Sequence, residues 1–517
     1  MCSVSAIDIN ENTVVRAKVF KADFLSSKAQ TRSYILNASH DLPVLALTAN
    51  PTDFFDEETG IYVFGDNYQP GYPYFGANFW EDWERPIHLA LYQEDGTKEA
   101  DFDAGVKIFG GWSRAQDQRS LSLFARTQYG QGAFDNAFFE DRPHESYQAL
   151  VLRNSGNDWN NAMIRDAALT GLMKGADLEF QAYRPMVAYL NGEYWGIYNM
   201  REKVNEHFLA AKWNVDPSEI DLLEMGGNVI FGSNTDYLSL IDFIANADLS
   251  QQANYDYVES QIDLDNFALY QAAQIYFNNR DWPGNNIKFA RHQGGKWRWI
   301  LYDTDFGFGT WDDGDYVVNT LDFALEPNGP GWPNPAWSTF LLRALTESTA
   351  FRNLFVNRFA DEMNSRFLST RVVEHIDSLA LNIASEIPAH FERWGASSGN
   401  WWNRINAMKN FANERQYYMK SHILNEFGLP AYHRLNIEIE DLAEGWVQVN
   451  SLKIEENDWG GDYFQQVPIR VSAIARPGYE FLYWEGISNG ASDPSLQINM
   501  QSIMSMKPVF QVSNSTA

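Results

Sequence analysis

The apolar pattern of this chain changes period near Pro430, and that change constrains the fold more than any other feature of the sequence. Across residues 335–428 the pattern is helical. Phe351, Leu354, Phe355, Phe359, Met363 and Phe367 fall at i, i+3, i+4, i+8, i+12 and i+16, one face of one helix. Pro388, Gly395 and Gly428 mark helix ends. After Pro430 the apolar residues alternate in short runs: Trp446 to Val449, Val467 to Ile474, Phe481 to Trp484, Ser495 to Met500 and Met504 to Phe510. Period-2 alternation predicts strands with one buried face. Residues 436–517 are therefore expected to form a separate all-β domain.

Upstream, both periods occur. Ile87 to Tyr92, Val106 to Phe109 and Ser120 to Arg126 alternate like strands, and the aromatic loop from Asp66 to Asp82 reads as a locally packed Ω-like loop. Asn160 to Met173 has a helical stripe of Ala162, Met163, Ala167, Leu169, Leu172 and Met173. Asn191-Gly192 joins two apolar runs, Pro185 to Leu190 and Glu193 to Asn199. That dipeptide is a strong hairpin signal because both turn residues need φ > 0. A helix is expected from Val204 to Lys212 and a long apolar one from Leu264 to Phe277, followed by strands Asn286 to Arg291 and Lys296 to Asp303. The class is α+β, with a main domain over residues 39–430.

The start of the chain is different. Thr13 to Phe20 and Arg32 to Leu36 read as two strands, and two strands do not make a stable domain. Residues 1–38 are expected to be the end of a β-sandwich module whose earlier part, with an export signal, lies upstream. A short β-ribbon leaning on the main domain is the alternative. Met1 to Ile7 has neither the basic nor the long apolar region of a signal peptide.

Charge removes several functions. The chain has 39 Lys+Arg against 68 Asp+Glu, a formal charge of −29. Phosphate backbones need a basic stripe, so no nucleic-acid partner is expected. Docking on anionic lipid is disfavoured for the same reason. No run approaches the ~20 apolar residues of a membrane span, so no membrane insertion is expected. The single Cys2 excludes an internal disulfide framework. The histidines are scattered, and no G-x-S-x-G elbow occurs.

The chemistry concentrates in two segments. In Asn279-Arg280-Asp281-Trp282-Pro283-Gly284-Asn285-Asn286, Asp281 and Asn286 stand five apart. A kinase catalytic loop has this spacing, with an aspartate for the attacking hydroxyl and an amide oxygen for a metal. A helix C-cap with an Asx-rich turn produces the same pattern. Further on comes Trp299-Ile300-Leu301-Tyr302-Asp303-Thr304-Asp305-Phe306-Gly307. Asp303 and Asp305 are i and i+2 at the end of an apolar strand and should face one side. Two carboxylates converging without a basic neighbour suit a hard divalent cation, and Asp305-Phe306-Gly307 spells D-F-G.

Taken in order, these segments resemble the CotH kinase family, atypical kinases named for a bacterial spore-coat protein. The resemblance runs from about Leu42 to Leu429. It includes Trp83-Glu84-Arg85-Pro86, Ile108-Phe109-Gly110-Gly111-Trp112-Ser113-Arg114, Leu152-Arg153-Asn154 and Asn191-Gly192-Glu193-Tyr194-Trp195-Gly196-Ile197-Tyr198-Asn199-Met200-Arg201-Glu202. It implies a pared-down, two-lobed kinase-like fold, β-rich then helical. It also implies transfer of phosphate from ATP, with Mg²⁺ or Mn²⁺, to Ser/Thr hydroxyls of a protein. By position, Asp281 is the catalytic aspartate. Asn286 is the metal-side asparagine, with Asn285 as the alternative. Asp303 and Asp305 are the metal carboxylates, Asp305 preferred. The family usually has lysine before a serine where this chain has Arg119-Ser120. Arginine binds phosphate but is not equivalent to lysine. Arg119 is thus the expected phosphate cation, with Lys107 as a substitute, and an exposed strand-edge charge is the plainer alternative for Arg119. Arg114 on the Gly110-Gly111 turn is a further phosphate candidate, Asp166 a partner for the cation, and Glu202 a neighbour of adenine.

The resemblance further implies a bacterial protein that is extracellular or at the cell surface, with a cell-surface or extracellular-matrix partner. The C-terminal domain resembles small β modules of bacterial surface proteins through Ala475-Arg476-Pro477-Gly478-Tyr479-Glu480-Phe481 and Trp484-Glu485-Gly486, and a spacer role is expected. A catalytically silent binding module on the same fold is the main alternative function. A glycoside hydrolase would need two carboxylates opposed across a cleft, which Asp303 and Asp305 on one strand do not supply.

Overall fold

The architecture comes from a computed structural model that describes residues 6–36, 38–395, 398–487 and 491–513; Cys2 lies outside the described residues. The chain divides into two compact units. The first comprises Met1–Gly171, Gln181–Ser218 and Ile376–Asn406, the second Leu172–Phe180, Glu219–His375 and Ala407–Ala517. No described helix is long and apolar enough to cross a membrane. The mixed helix and strand content makes the fold α+β, as expected.

Among the described residues of the first unit, Thr13–Ala17 and Gln30–Tyr34 pair only with each other. The main body is a closed barrel of seven strands. Their order is Tyr183–Leu190, Glu193–Glu202, Ala149–Arg153, Ser120–Phe124, Lys98–Phe109, Arg85–Tyr92 and Val44–Ala49. A parallel pairing of Val44–Ala49 with Tyr183–Leu190 closes it. Closure removes the open edges that invite aggregation. Alternate residues fill the interior: Leu45 and Leu47, Leu89 and Leu91, Val106 and Ile108, Leu121 and Leu123, Leu150 and Leu152. The hairpin turn is where its signal put it, with Asn191 at φ 52° and Gly192 at φ 89°. The Asn191 side chain then accepts the Ala49 N–H at 2.9 Å, which ties the hairpin to the closing strand.

Gly196 in that hairpin lies at φ 89°, and a Cβ there would come within 2.6 Å of His390 Nδ1. The close approach lets Ile197 N–H donate to His390 Nδ1 at 3.0 Å. Burial pushes the His390 pKa down to about 3, so the ring stays neutral and can accept that bond. The helix expected from Asn160 begins only at Arg165. Asp158 is the reason: its carboxylate accepts the N–H groups of Ala162 at 3.0 Å and Arg165 at 2.9 Å, and Met163 turns left-handed at φ 66°. Side-chain acceptors of this kind compete with the helical ladder.

In the second unit a five-stranded sheet has the order Glu179–Phe180, Arg298–Leu301, Lys288–His292, Ile220–Glu224, Asn228–Phe231. Helix Leu264–Tyr276 packs on it, with Asp263 capping its N-terminus through Asn266 N–H at 3.1 Å. Helix Thr349–Met363 carries the predicted apolar face, and Phe351, Phe355 and Phe359 are fully buried. The helix stops at Met363, so Phe367 reaches the core from a turn instead. The C-terminal residues form two four-stranded sheets. Their first strand, Tyr432–Glu438, runs across the expected boundary at residue 436. Only Leu435 and Ile437 of that strand are buried, too short an alternation to read from sequence.

Candidate functional site

The chemistry-bearing loop of the second unit hangs from the end of helix Leu264–Tyr276. A helix end leaves its last carbonyls without partners. Arg415, fully buried, donates to Ile275 O at 2.9 Å and Tyr276 O at 3.0 Å, and also to Tyr316 O and Val318 O. The helix end and the 316–318 segment are thereby fixed to one guanidinium. Five residues past the helix comes Asp281, with about nine-tenths of its surface buried.

Three side chains donate to the Asp281 carboxylate: Asn285 Nδ2 to Oδ1 at 3.0 Å, Asn286 Nδ2 to Oδ2 at 2.9 Å and Trp332 Nε1 to Oδ1 at 2.9 Å. Burial pushes the Asp281 pKa up to about 6; the nearby charge of Asp303 adds to this, and the three hydrogen bonds oppose it. Asn286 uses its amide nitrogen on Asp281, which leaves its Oδ1 as an oxygen donor. Asn286 sits at φ 53°, a region asparagine tolerates better than most residues. The loop is held against 333–335, where Gly284 N–H meets Pro333 O at 2.5 Å and a Cβ on Gly284 would lie 2.2 Å from Pro335 Cδ.

The second segment departs from expectation. Its strand ends at Leu301, and Asp303 turns left-handed at φ 55°. The rule that i and i+2 share a face needs extended backbone, so it does not apply to Asp303 and Asp305. Asp305 is buried and Asp303 is half-buried. Phe308 N–H donates to Phe277 O at 2.8 Å, and Asn279 Nδ2 reaches Asp303 O at 3.4 Å. These bonds run the segment beside the loop that carries Asp281. Among the described residues no group of three or more His, Cys, Asp or Glu could hold a metal alone. The oxygen donors of Asn286, Asp303 and Asp305 still suit Mg²⁺, which takes one or two protein ligands and completes its shell with water and phosphate.

In the first unit, the expected phosphate-side residues are occupied otherwise. Arg119 is neither an exposed edge charge nor an open cation. It is 4 % exposed, its guanidinium lies 4.8 Å from the Tyr62 ring centroid and 4.1 Å from that of Phe79, and it donates to Gln116 O and Asp117 O. These two carbonyls and two rings already engage the guanidinium. A lysine ammonium cannot reproduce the planar fork or the stacking. Arg119→Lys is therefore expected to lower stability by about 1–3 kcal/mol in urea unfolding, with no gain in transfer rate per folded molecule.

Lys107 binds Asp82 at 2.8 Å. Arg114 binds Gly110 O, Phe79 O and Trp80 O, capping its own turn. Asp166 pairs with Arg201 at 2.5 Å and lies 3.8 Å from Arg153, not with Arg119. Glu202 ends a strand and is 1 % exposed. Burial works against its charge, but His144 and Arg142 outweigh that and hold its pKa below the ordinary value. With Ala182 N–H also on its carboxylate at 2.8 Å, Glu202 is locked into the fold.

Two further residues escaped the sequence reading, one bonded to Asp281 and one packed on the ring that precedes Asp303. Trp332 lies far along the chain, and nothing local marks it. Lys288, two residues after Asn286, has its Nζ 4.8 Å from the Tyr302 ring centroid; its closeness to Asn286 in sequence was the available signal. Compared with known proteins, residues 106–419 match the family model described as CotH kinase protein, more than half of the chain. No curated protein matches.

Proposed function

The chain belongs to the CotH kinase family, and from that premise we propose that it transfers the terminal phosphoryl group of ATP to Ser/Thr hydroxyls of a protein outside the cell or at its surface. The observation that carries this reading is the pair of bonded side chains Asp281 and Asn286, with the Asp303 charge beside them. Asp281 accepts the acceptor's proton as the hydroxyl oxygen bonds to phosphorus and the bond to the leaving ADP oxygen breaks. The asparagine and tryptophan donors fix the carboxylate in one orientation before the acceptor arrives. Asn286, Asp305 and Asp303 would hold Mg²⁺ or Mn²⁺, which supplies charge neutralisation on the phosphates when bound. The acidic groups repel a bare triphosphate, so nucleotide affinity is expected to need the metal. Labelled ATP incubated with Mg²⁺ or Mn²⁺ and scored for phosphorylation of the chain itself and of added protein tests the reading. Transfer that stops with chelator supports it. Equal ATP affinity with and without chelator overturns it, and metal-dependent binding without any transfer returns the silent binding module.

A further inference from the structure

One cation of the second unit is left over by the fold. Lys288 opens the strand Lys288–His292, and its partner in register on the neighbouring strand is Glu224. A sheet ordinarily uses opposite charges in register as a cross-strand pair. Here the pair is not closed. Among the described residues Lys288 donates no hydrogen bond and makes no ion pair within 4.0 Å. Its Nζ lies instead over the ring of Tyr302, the residue before Asp303. The Nζ keeps access to solvent, so a ligand oxygen can take the place of water on it.

We propose that Lys288 binds the terminal phosphate of the nucleotide, an inference that rests on the phosphoryl-transfer reading above. The terminal phosphate is the part of the nucleotide that must come to Asp281 and Asn286, and Lys288 stands two residues from Asn286. Lysine serves phosphate as a compact point charge. Lys288 also supplies, in the second unit, a cation of the kind that the sealed Arg119 does not offer.

Calorimetric titration of the full chain with Mg-ATP and Mg-ADP, on wild type, Lys288→Met and Lys288→Arg, tests this. Lys288→Met is expected to weaken Mg-ATP about tenfold or more, the effect of losing a charge-assisted bond, and to change Mg-ADP much less. Lys288→Arg is expected to restore most of the loss. In the wild-type chain, acylation of Lys288 read by mass spectrometry is expected to be suppressed by Mg-ATP and not by Mg-ADP, a readout independent of how any variant folds. Unchanged Mg-ATP affinity in Lys288→Met, equal losses for the two nucleotides, or acylation indifferent to Mg-ATP overturns the role of Lys288 and leaves the kinase reading standing. A wild type that binds no Mg-ATP overturns both.

Discussion

Asp281→Ala is expected to lower the turnover of phosphoryl transfer by about 10²–10⁴-fold, the range for loss of a positioned proton acceptor. Metal–nucleotide affinity should stay close to that of the wild type. The split follows from the geometry. Asp281 accepts from Asn285, Asn286 and Trp332, so its carboxylate is oriented by the protein. Its removal takes away the base and leaves the carboxylates of Asp303 and Asp305. Asp305→Ala is the contrasting variant, expected to weaken metal–nucleotide binding and turnover together. Single-turnover kinetics with nucleotide titration separates the two patterns. Full activity in Asp281→Ala would refute the assigned mechanism. Trp332→Phe should fall between wild type and Asp281→Ala, since it deletes one donor to the carboxylate and keeps the ring.

How far the site could be read from the sequence depends on how local each contact is. Asp281 and Asn286 are five residues apart in one loop, and their hydrogen bond is what that spacing allows. Trp332 donates to the same carboxylate across 51 residues of chain, and no periodicity announces it. The strand reading failed for Asp303 because φ 55° breaks the extended backbone on which alternation rests. For Arg119 the sequence gives the charge and not the surroundings: Tyr62 and Phe79, which enclose it, come from other segments. The same division holds for the fold. The Asn191-Gly192 hairpin was legible, but the parallel pairing that closes the barrel joins strands more than a hundred residues apart. Asp158 delayed a helix by hydrogen-bonding backbone groups that the apolar pattern had assigned to the helix.

Asp361→Ala is expected to destabilise the second unit by about 2–4 kcal/mol, because it leaves several buried donors unsatisfied at once. Asp361 lies on helix Thr349–Met363 and is 1 % exposed. Its carboxylate accepts from Ser451 N–H at 3.0 Å, the Ser451 hydroxyl, Asn450 Nδ2 at 3.2 Å and Tyr463 O–H at 3.1 Å. Asn357, Asn364 and Lys420 make further bonds to Pro468 and Asp462. These bonds join the helices to the all-β domain expected after Pro430, within one compact unit. Burial pushes the Asp361 pKa up to about 6 from an ordinary 3.8, against the hydrogen bonds from Ser451. The native state therefore holds this proton more tightly than the unfolded chain does. Linkage then makes the contribution of Asp361 to stability grow as pH falls through 6 toward 4. The slope contributed by one such group is at most about 1.4 kcal/mol per pH unit. Urea unfolding of wild type and Asp361→Asn at pH 7 and pH 5 isolates that contribution, because asparagine does not titrate. The wild type is expected to gain on the variant at pH 5; a difference that is constant, or that moves the other way, would show that Asp361 is not buried against the C-terminal sheets as described.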